Sequence, residues 1–382
     1  MRRALISAVA VVILLVAGDF LVWRWAASRL DAGYAGWVQG QRAAGWTVTN
    51  GEPSTSGWPF SAKLTIPDLF LSGGRPDIPG GLTWSGDRVV LTVALLHPGR
   101  LGIALEGMQR LRVADGADIP FTADQLAVTV PLDADAPARF ADLSATNLRV
   151  GLPEGGIAAN PLTLALVHVH LDSTPAAAQG ESALAIAGSA QDIGLPAPPA
   201  GRAWPLGPRI ASVSFEAALT GPLPLAADIA VRAAEWRDGG GTLEIRRLAL
   251  GWGPLGLSAS ATLALDEHMQ PMGAGSAHIV GEDATIAALV ANRVVTASAA
   301  TAARTILGLM SRAPDGGGAP EVDVPLTLQN RTLTMGRIPL AKLPELLWPQ
   351  AAVPRSIPPP PSPPPPSPAS VAPPAVQPAL AN

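Results

Sequence analysis

Cysteine is absent from the 382 residues, which removes disulfide frameworks, cysteine nucleophiles, thiolate zinc sites and iron–sulfur clusters together. Lysine is almost absent as well: Lys63 and Lys342 are the only two, so Schiff-base and phosphate-loop lysine chemistry has hardly a candidate. Charged residues make up only 15%, and 39 Gly with 40 Pro exclude a long coiled coil and a conventional helical enzyme core. A formal charge of −4 argues against a nucleic-acid partner, because phosphate binding needs a basic face. What is abundant is apolar surface, 48% of the chain, enough for one large domain or two ordinary ones.

The first apolar feature is at the N-terminus. Met1-Arg2-Arg3 precedes a run from Ala4 to Gly18; Asp19 interrupts it, and Phe20, Leu21, Val22 and Trp23 extend it. As a helix, residues 4–23 would cover about 30 Å, the thickness of a bilayer's hydrocarbon core. The paired arginines put the start in the cytoplasm and the remainder outside, with Trp23 and Trp25 at the outer interface. A cleaved signal peptide is the competing reading. The uninterrupted portion, Ala4 to Gly18, sits at the upper limit of about 15 residues for a signal core, and Val16-Ala17-Gly18 is a poor cleavage site. The preferred expectation is an uncleaved, single-pass anchor over residues 1–23 in the inner membrane, with the body in the periplasm. Residues 1–23 hold two Arg and one Asp, so the exported part is more acidic than the whole. Such a body is not expected to lie electrostatically on an anionic membrane surface.

After the anchor, residues 24–45 read as a helix: Trp25, Leu30, Tyr34, Trp37 and Val38 recur at helical spacing, and Gly45 looks like the stop. From residue 46 to 348 the dominant signal is period two. Ala62, Leu64 and Ile66 alternate with polar or small residues, as do Val89 to Leu95, Leu101 to Leu105, Leu126 to Val130, Ala211 to Leu219 and Leu255 to Leu265. That alternation is what a strand with one buried face requires. Turn signals such as Pro98-Gly99 and Asp238-Gly239-Gly240 separate the runs, so the expected fold is mainly β with some α. Its body is a large, curved antiparallel sheet of meander type. One long helix is expected over residues 283–312, where Pro is missing and Ile286, Leu289, Val290, Val294, Ile306, Leu307 and Met310 can share a stripe. A strand pair follows over 322–340, and Leu340 to Trp348 is expected to add a short helix. From Pro349 the chain turns into a proline-rich tail, residues 349–382, expected to be disordered; a spacer or a ligand for a proline-binding protein are its other readings.

Motifs for chemistry are sparse. No Gly-x-Ser-x-Gly elbow, phosphate-binding loop, His-Glu-x-x-His pair or EF-hand pattern occurs. His168-Val169-His170 is the one arrangement suited to a metal, since residues two apart on a strand share a face; Asp172 is a third candidate on that face. The preferred reading is two polar side chains on the solvent side of an edge strand. Asp133/Asp135 and Asp266/Glu267 sit in turn-like contexts, where Asp caps backbone N–H groups. Trp58, Trp84, Trp204, Trp236, Trp252 and Trp348 are read as plugs at the ends of a sheet core, ahead of a sugar- or lipid-binding platform.

Several short words recur in one known family. They are Gly45-Trp46, Gly57-Trp58-Pro59-Phe60, Trp236-Arg237, Gly241-Thr242-Leu243-Glu244, Trp252-Gly253-Pro254-Leu255, Gln270-Pro271-Met272-Gly273 and Gly336-Arg337-Ile338-Pro339-Leu340. With the anchor, they resemble the bacterial, largely alphaproteobacterial, domain-of-unknown-function family 2125, over roughly residues 5–348. No established activity comes with that family, so the resemblance implies no catalytic, cofactor-binding or metal-binding residue. A looser likeness is to AsmA-type envelope proteins, which share one anchor and a long β-rich body and are associated with lipid transport along a hydrophobic groove. That likeness is fold-level analogy.

Three functions are weighed. The first is a non-catalytic, cofactor-free envelope protein whose sheet shelters acyl chains in a groove lined by Val213, Phe215, Leu255, Leu257, Leu263 and Leu265. The second is an exported hydrolase or metal-dependent enzyme built on His168 and His170. The third is a scaffold whose protein partner binds the proline-rich tail.

Overall fold

One helix, α1 (Arg2–Ala43), carries the apolar run and the post-anchor segment without a break. The structure, a computed structural model, describes residues 2–74, 81–114, 116–132, 139–152, 157, 160–198, 202–224, 228–312, 321–336 and 338–348. The proline-rich tail and the Asp133/Asp135 pair lie outside the described residues. α1 stops where Gly45 was expected to stop it. Gly45 has φ +87°, its N–H bonds to the Arg42 carbonyl, and the Trp46 N–H bonds to the Gln41 carbonyl. This is a Schellman closure, and Trp46 supplies the buried apolar residue that follows it.

Beyond the helix, the body is a single antiparallel sheet of 18 strands. They are β1 (Thr47–Thr49), β2 (Ser54–Ser56), β3 (Ser61–Gly73), β4 (Leu82–Ala94), β5 (His97–Val113) and β6 (Ile119–Thr122). Next come β7 (Gln125–Pro131), β8 (Phe140–Val150), β9 (Leu162–Ser173), β10 (Ser182–Gly194) and β11 (Arg209–Thr220). After helix α2 (Ile229–Asp238) follow β12 (Leu243–Trp252), β13 (Leu255–Leu265) and β14 (Pro271–Val280). Helices α3 (Glu282–Ala291) and α4 (Ala297–Met310) precede β15 (Ser311–Arg312), β16 (Glu321–Gln329), β17 (Thr332–Met335) and β18 (Ile338–Lys342). Nearly every strand pairs with its neighbour in sequence. The exceptions are local: β1 and β2 both pair with β3, β6 is a side strand on β5 and β8, and β14 meets β16 across the helices.

Residues directly opposed in an antiparallel ladder point to the same face. The register therefore traces rows across the sheet. One row runs Leu64, Leu91, Ile103, Val128, Leu143, Val169, Gly188, Phe215, Leu248, Ala259, Ala277, Val324. Another runs Val167, Ala190, Val213, Leu250, Leu257, Ile279, Val322. The opposite face carries, among others, Ser144, His168, Ser189 and Ser214 in one row. At about 4.8 Å per strand, the first row is roughly 50 Å long. One face is apolar from end to end.

Among the described residues, helices cover that face at its ends. At the β3 end, Tyr34 and Val38 of α1 pack on Leu64, Ile66, Leu69 and Val89, with Trp46 and Val48 closing the cluster. At the other end α3 lies on β13 and α4 on β16, where Ala277, Val322 and Val324 form a second buried cluster. Leu64 and Ile66 are 0% exposed, whereas Leu143, Val169, Val213 and Phe215 in the middle are only half-buried.

Two helical expectations need correction. The stretch expected as one helix over 283–312 is helical but divided. Asn292 ends α3, with Arg293 at φ +57° and the Arg293 and Val294 N–H groups bonded back to the Val290 and Leu289 carbonyls. The Thr296 hydroxyl then accepts the Ala299 N–H and starts α4. Arg312 already belongs to β15. Residues 340–348 form no helix. Leu340 is in β18 and residues 343–348 are an extended strap, held by the Gln270 amide, which donates to the Leu346 carbonyl (3.1 Å) and accepts its N–H (2.8 Å). Pro344 disfavours helical backbone at Leu343, and Trp348 Nε1 pins the strap to the Met269 carbonyl at 2.8 Å.

Candidate functional site

The space between α1 and β3–β5 is a cleft of about 740 Å³. Its α1 wall is Val22, Trp25, Ala26, Arg29, Leu30, Gly33, Tyr34 and Trp37, one side of the helix at three- and four-residue spacing. Its sheet wall is Ile66, Leu69, Leu71, Trp84, Val89, Leu91, Val93, Leu95, Leu101, Ile103 and Leu105, with Pro98 and Leu132 beside them. Apolar side chains dominate, and among the described residues Arg29 is the single charged one in the lining. Its guanidinium sits 5.5 Å from the centre of the Trp25 ring, a cation–π contact. Tyr34 is buried in the wall, and burial pushes its phenol above the ordinary tyrosine range against the opposing pull of Arg42.

Val22 belongs to the apolar run. The α1 stretch from Val9 to Ala43 is long and apolar enough to cross a membrane, and its most apolar window has a mean hydropathy of 1.9 and is not buried in the body. The cleft therefore starts where that run ends.

The six residues expected to line a groove share the apolar face but not the cleft. Val213 and Phe215 lie in its half-buried middle, Phe215 with its ring over Gly188 of β10. Leu257 packs against the Ala277–Val322–Val324 cluster, and Leu255 faces Trp252. Leu263 opposes Leu243 and Gly273, and Leu265 borders a polar hollow with Arg237, Asp266 and His268. Sequence reading missed the cleft because it treated the post-anchor helix and the first strands separately. The signal was present: the Leu30–Tyr34–Val38 stripe had no partner until β3 and β4 supplied one.

His168 and His170 do share a face of β9, as their spacing implied, but β9 is no edge strand: β8 and β10 pair with it on either side. His170 is already engaged on both ring nitrogens: Nδ1 lies 2.5 Å from Asp142 Oδ1 and Nε2 lies 2.8 Å from Asp172 Oδ2. Carboxylates only accept, so this geometry favours the doubly protonated ring, and the bonds to Asp142 and then Asp172 raise the His170 pKa above its usual value. An imidazolium has no lone pair for a metal. Among the described residues no group of three or more His, Asp or Glu side chains is placed to hold an ion.

Asp266 does what its turn context implied, accepting the His268 and Gln270 N–H groups, each at 2.8 Å. Four tryptophans tie loops to the strand ends through indole N–H bonds: Trp204 to Pro196, Trp252 to Gly207, Trp236 to Thr220 and Trp348 to Met269. Trp84 lines the cleft, and Trp58 stands exposed.

No curated protein and no solved structure matches the chain significantly. The family described as "uncharacterized protein conserved in bacteria (DUF2125)" matches residues 23–344, from the end of the apolar run to the strap after β18, and the chain belongs to that family.

Proposed function

We propose that this is a membrane-anchored, non-catalytic envelope protein that takes lipid acyl chains from the outer leaflet of the inner membrane into the cleft beside α1. The paired arginines before the span favour a body in the periplasm. The observation that carries the reading is continuity: an apolar cleft begins at Val22, inside the bilayer-length run, and opens onto a sheet face that stays apolar across twelve strands. A volume of about 740 Å³ is in the range of small-molecule sites. Each methylene moved from water into it would contribute about 0.8 kcal/mol, offset by the cost of ordering the chain. The half-buried middle, with Val213 and Phe215, is where a long chain would continue beyond the cleft. The AsmA-type likeness, one anchor and a β-rich body with a greasy groove, agrees with this reading.

The test is native mass spectrometry of gently extracted protein together with a photoreactive fatty-acid probe. Co-purified lipid and probe adducts on peptides of α1 and β3–β5 are expected. A lipid-free protein that the probe labels no more than a denatured control would defeat the proposal.

A further inference from the structure

A second apolar feature lies outside the cleft, at the tips of two hairpins. The β2–β3 turn presents Trp58 and Phe60, 46% and 78% exposed, and the β4–β5 turn presents Leu96, 84% exposed. The two tips are joined, since the Leu95 N–H bonds to the Phe60 carbonyl at 3.0 Å. They are also joined to α1 where the apolar run ends. The Trp58 ring meets Phe20 edge-on at 6.4 Å, and Trp23 Nε1 donates to the Ser56 carbonyl at 3.3 Å. Exposed bulk of this kind, held against one end of a bilayer-length helix, is continuous with whatever surrounds that helix.

We infer that these hairpin tips enter the interfacial layer of the same membrane as α1, giving the body a second point of attachment. The partner is the bilayer surface. Tryptophan prefers that layer, and exposed Phe and Leu side chains bury in it beside a tryptophan. Insertion is by apolar side chains, so it does not conflict with an acidic body and is insensitive to salt. Its effect is orientation: with α1 and the tips both held, Leu95, Pro98 and Leu132, on the same border of the sheet, place the cleft mouth against the leaflet.

The absence of cysteine makes the test clean. Full-length Phe60→Cys, Leu96→Cys and, as a control on the polar face, Glu216→Cys are labelled with an environment-sensitive fluorophore and reconstituted into phosphatidylcholine vesicles, with and without lipid carrying a nitroxide near the headgroup. Labels at 60 and 96 should be quenched at least about twofold more than the label at 216, in low and high salt alike. Equal quenching at all three positions, in protein shown to be membrane-incorporated and folded, overturns the inference, as does quenching abolished by salt. Probe binding in the cleft is read separately, so failure of one leaves the other standing.

Discussion

Asp68 holds φ at +48° in the middle of β3, in a region where a β-branched side chain collides with its own backbone. The ladder pairs Pro67 with Arg88 and Leu69 with Gly86 on either side of it. The apolar parity changes at the same place: Ala62, Leu64 and Ile66 precede the kink, Leu69 and Leu71 follow it, and all but Ala62 pack in one cluster. Asn147 (φ +51°) and Asp192 (φ +48°) make the same interruption in β8 and β10, either side of Ala165 in β9. Replacing Asp68 by Val should cost about 1–2 kcal/mol in chemical denaturation, while Asp68→Gly should be close to neutral. These kinks explain what period-two reading could follow and what it lost. In β3 it found the run before the kink and dropped the run beyond, because a strict alternation cannot change parity, and in β8 and β10 the change of parity left no run long enough to find.

His170 gives a pH dependence at the same scale. Its folded pKa is raised, so the ionised ring contributes stability fully below the unfolded value near 6.5 and loses it as pH climbs through the higher folded value. The ring and its partners are solvent-exposed, so screening limits the effect to about 0.5 kcal/mol or less. Thermal melts should show a slightly lower Tm above that range than below it, and His170→Gln should flatten the difference. A wild-type Tm that rises through that window would contradict the assignment.

The helices carry their boundaries in side chains more than in stripes. Gly45 was readable as a stop because glycine accepts the left-handed position that closes a Schellman turn. Arg293 occupies the same position at the end of α3 without that advantage, and the apolar stripe continuing through Val294 hid the break. Asn292 and Thr296 were the available cues, one a frequent terminator and the other an N-cap. Arg293→Gly should therefore stabilise the protein by about 0.5–1 kcal/mol, measured by denaturant midpoint at unchanged slope. A destabilised variant would mean that Arg293 makes a contact worth more than its backbone strain. Helix α2 was not foreseen: it spans only 10 residues, none buried, and is started by Asp228 accepting the Ala230 and Val231 N–H groups.

For the whole molecule, the fold class and a first helix long and apolar enough to cross a membrane were legible because they rest on periodicity and length, which survive without knowledge of partners. Strands β8, β10, β12 and β14 were not picked out, and β9 was read as a strand only at His168 and His170. Their apolar rows use Ala and Gly beside larger residues, as at Gly188 beneath Phe215 or Ala277 beside Val324, and small residues carry little signal until a neighbour fills the space above them. The cleft was illegible for a further reason: it belongs to neither α1 nor the sheet alone. If acyl chains bind there, Ile103→Trp should weaken probe binding about tenfold, because displacing roughly 60 Å² of ligand surface is worth about 1.5 kcal/mol. Leu248→Trp, on β12 in the same row, should leave binding within the cleft almost unchanged. Equal losses from both would place the chain along the open middle instead.

The ladder in which strands join in the order they occur has a last consequence, for assembly. A chain emerging from its first residues presents α1, then β3, then β4, each with its pairing partner already present or next to emerge. Little loop entropy has to be overcome before contacts form, and few long-range pairings are left waiting. The sheet can grow outward from α1 like a zip, with the longest delay at β14, which must wait through α3 and α4 for β16.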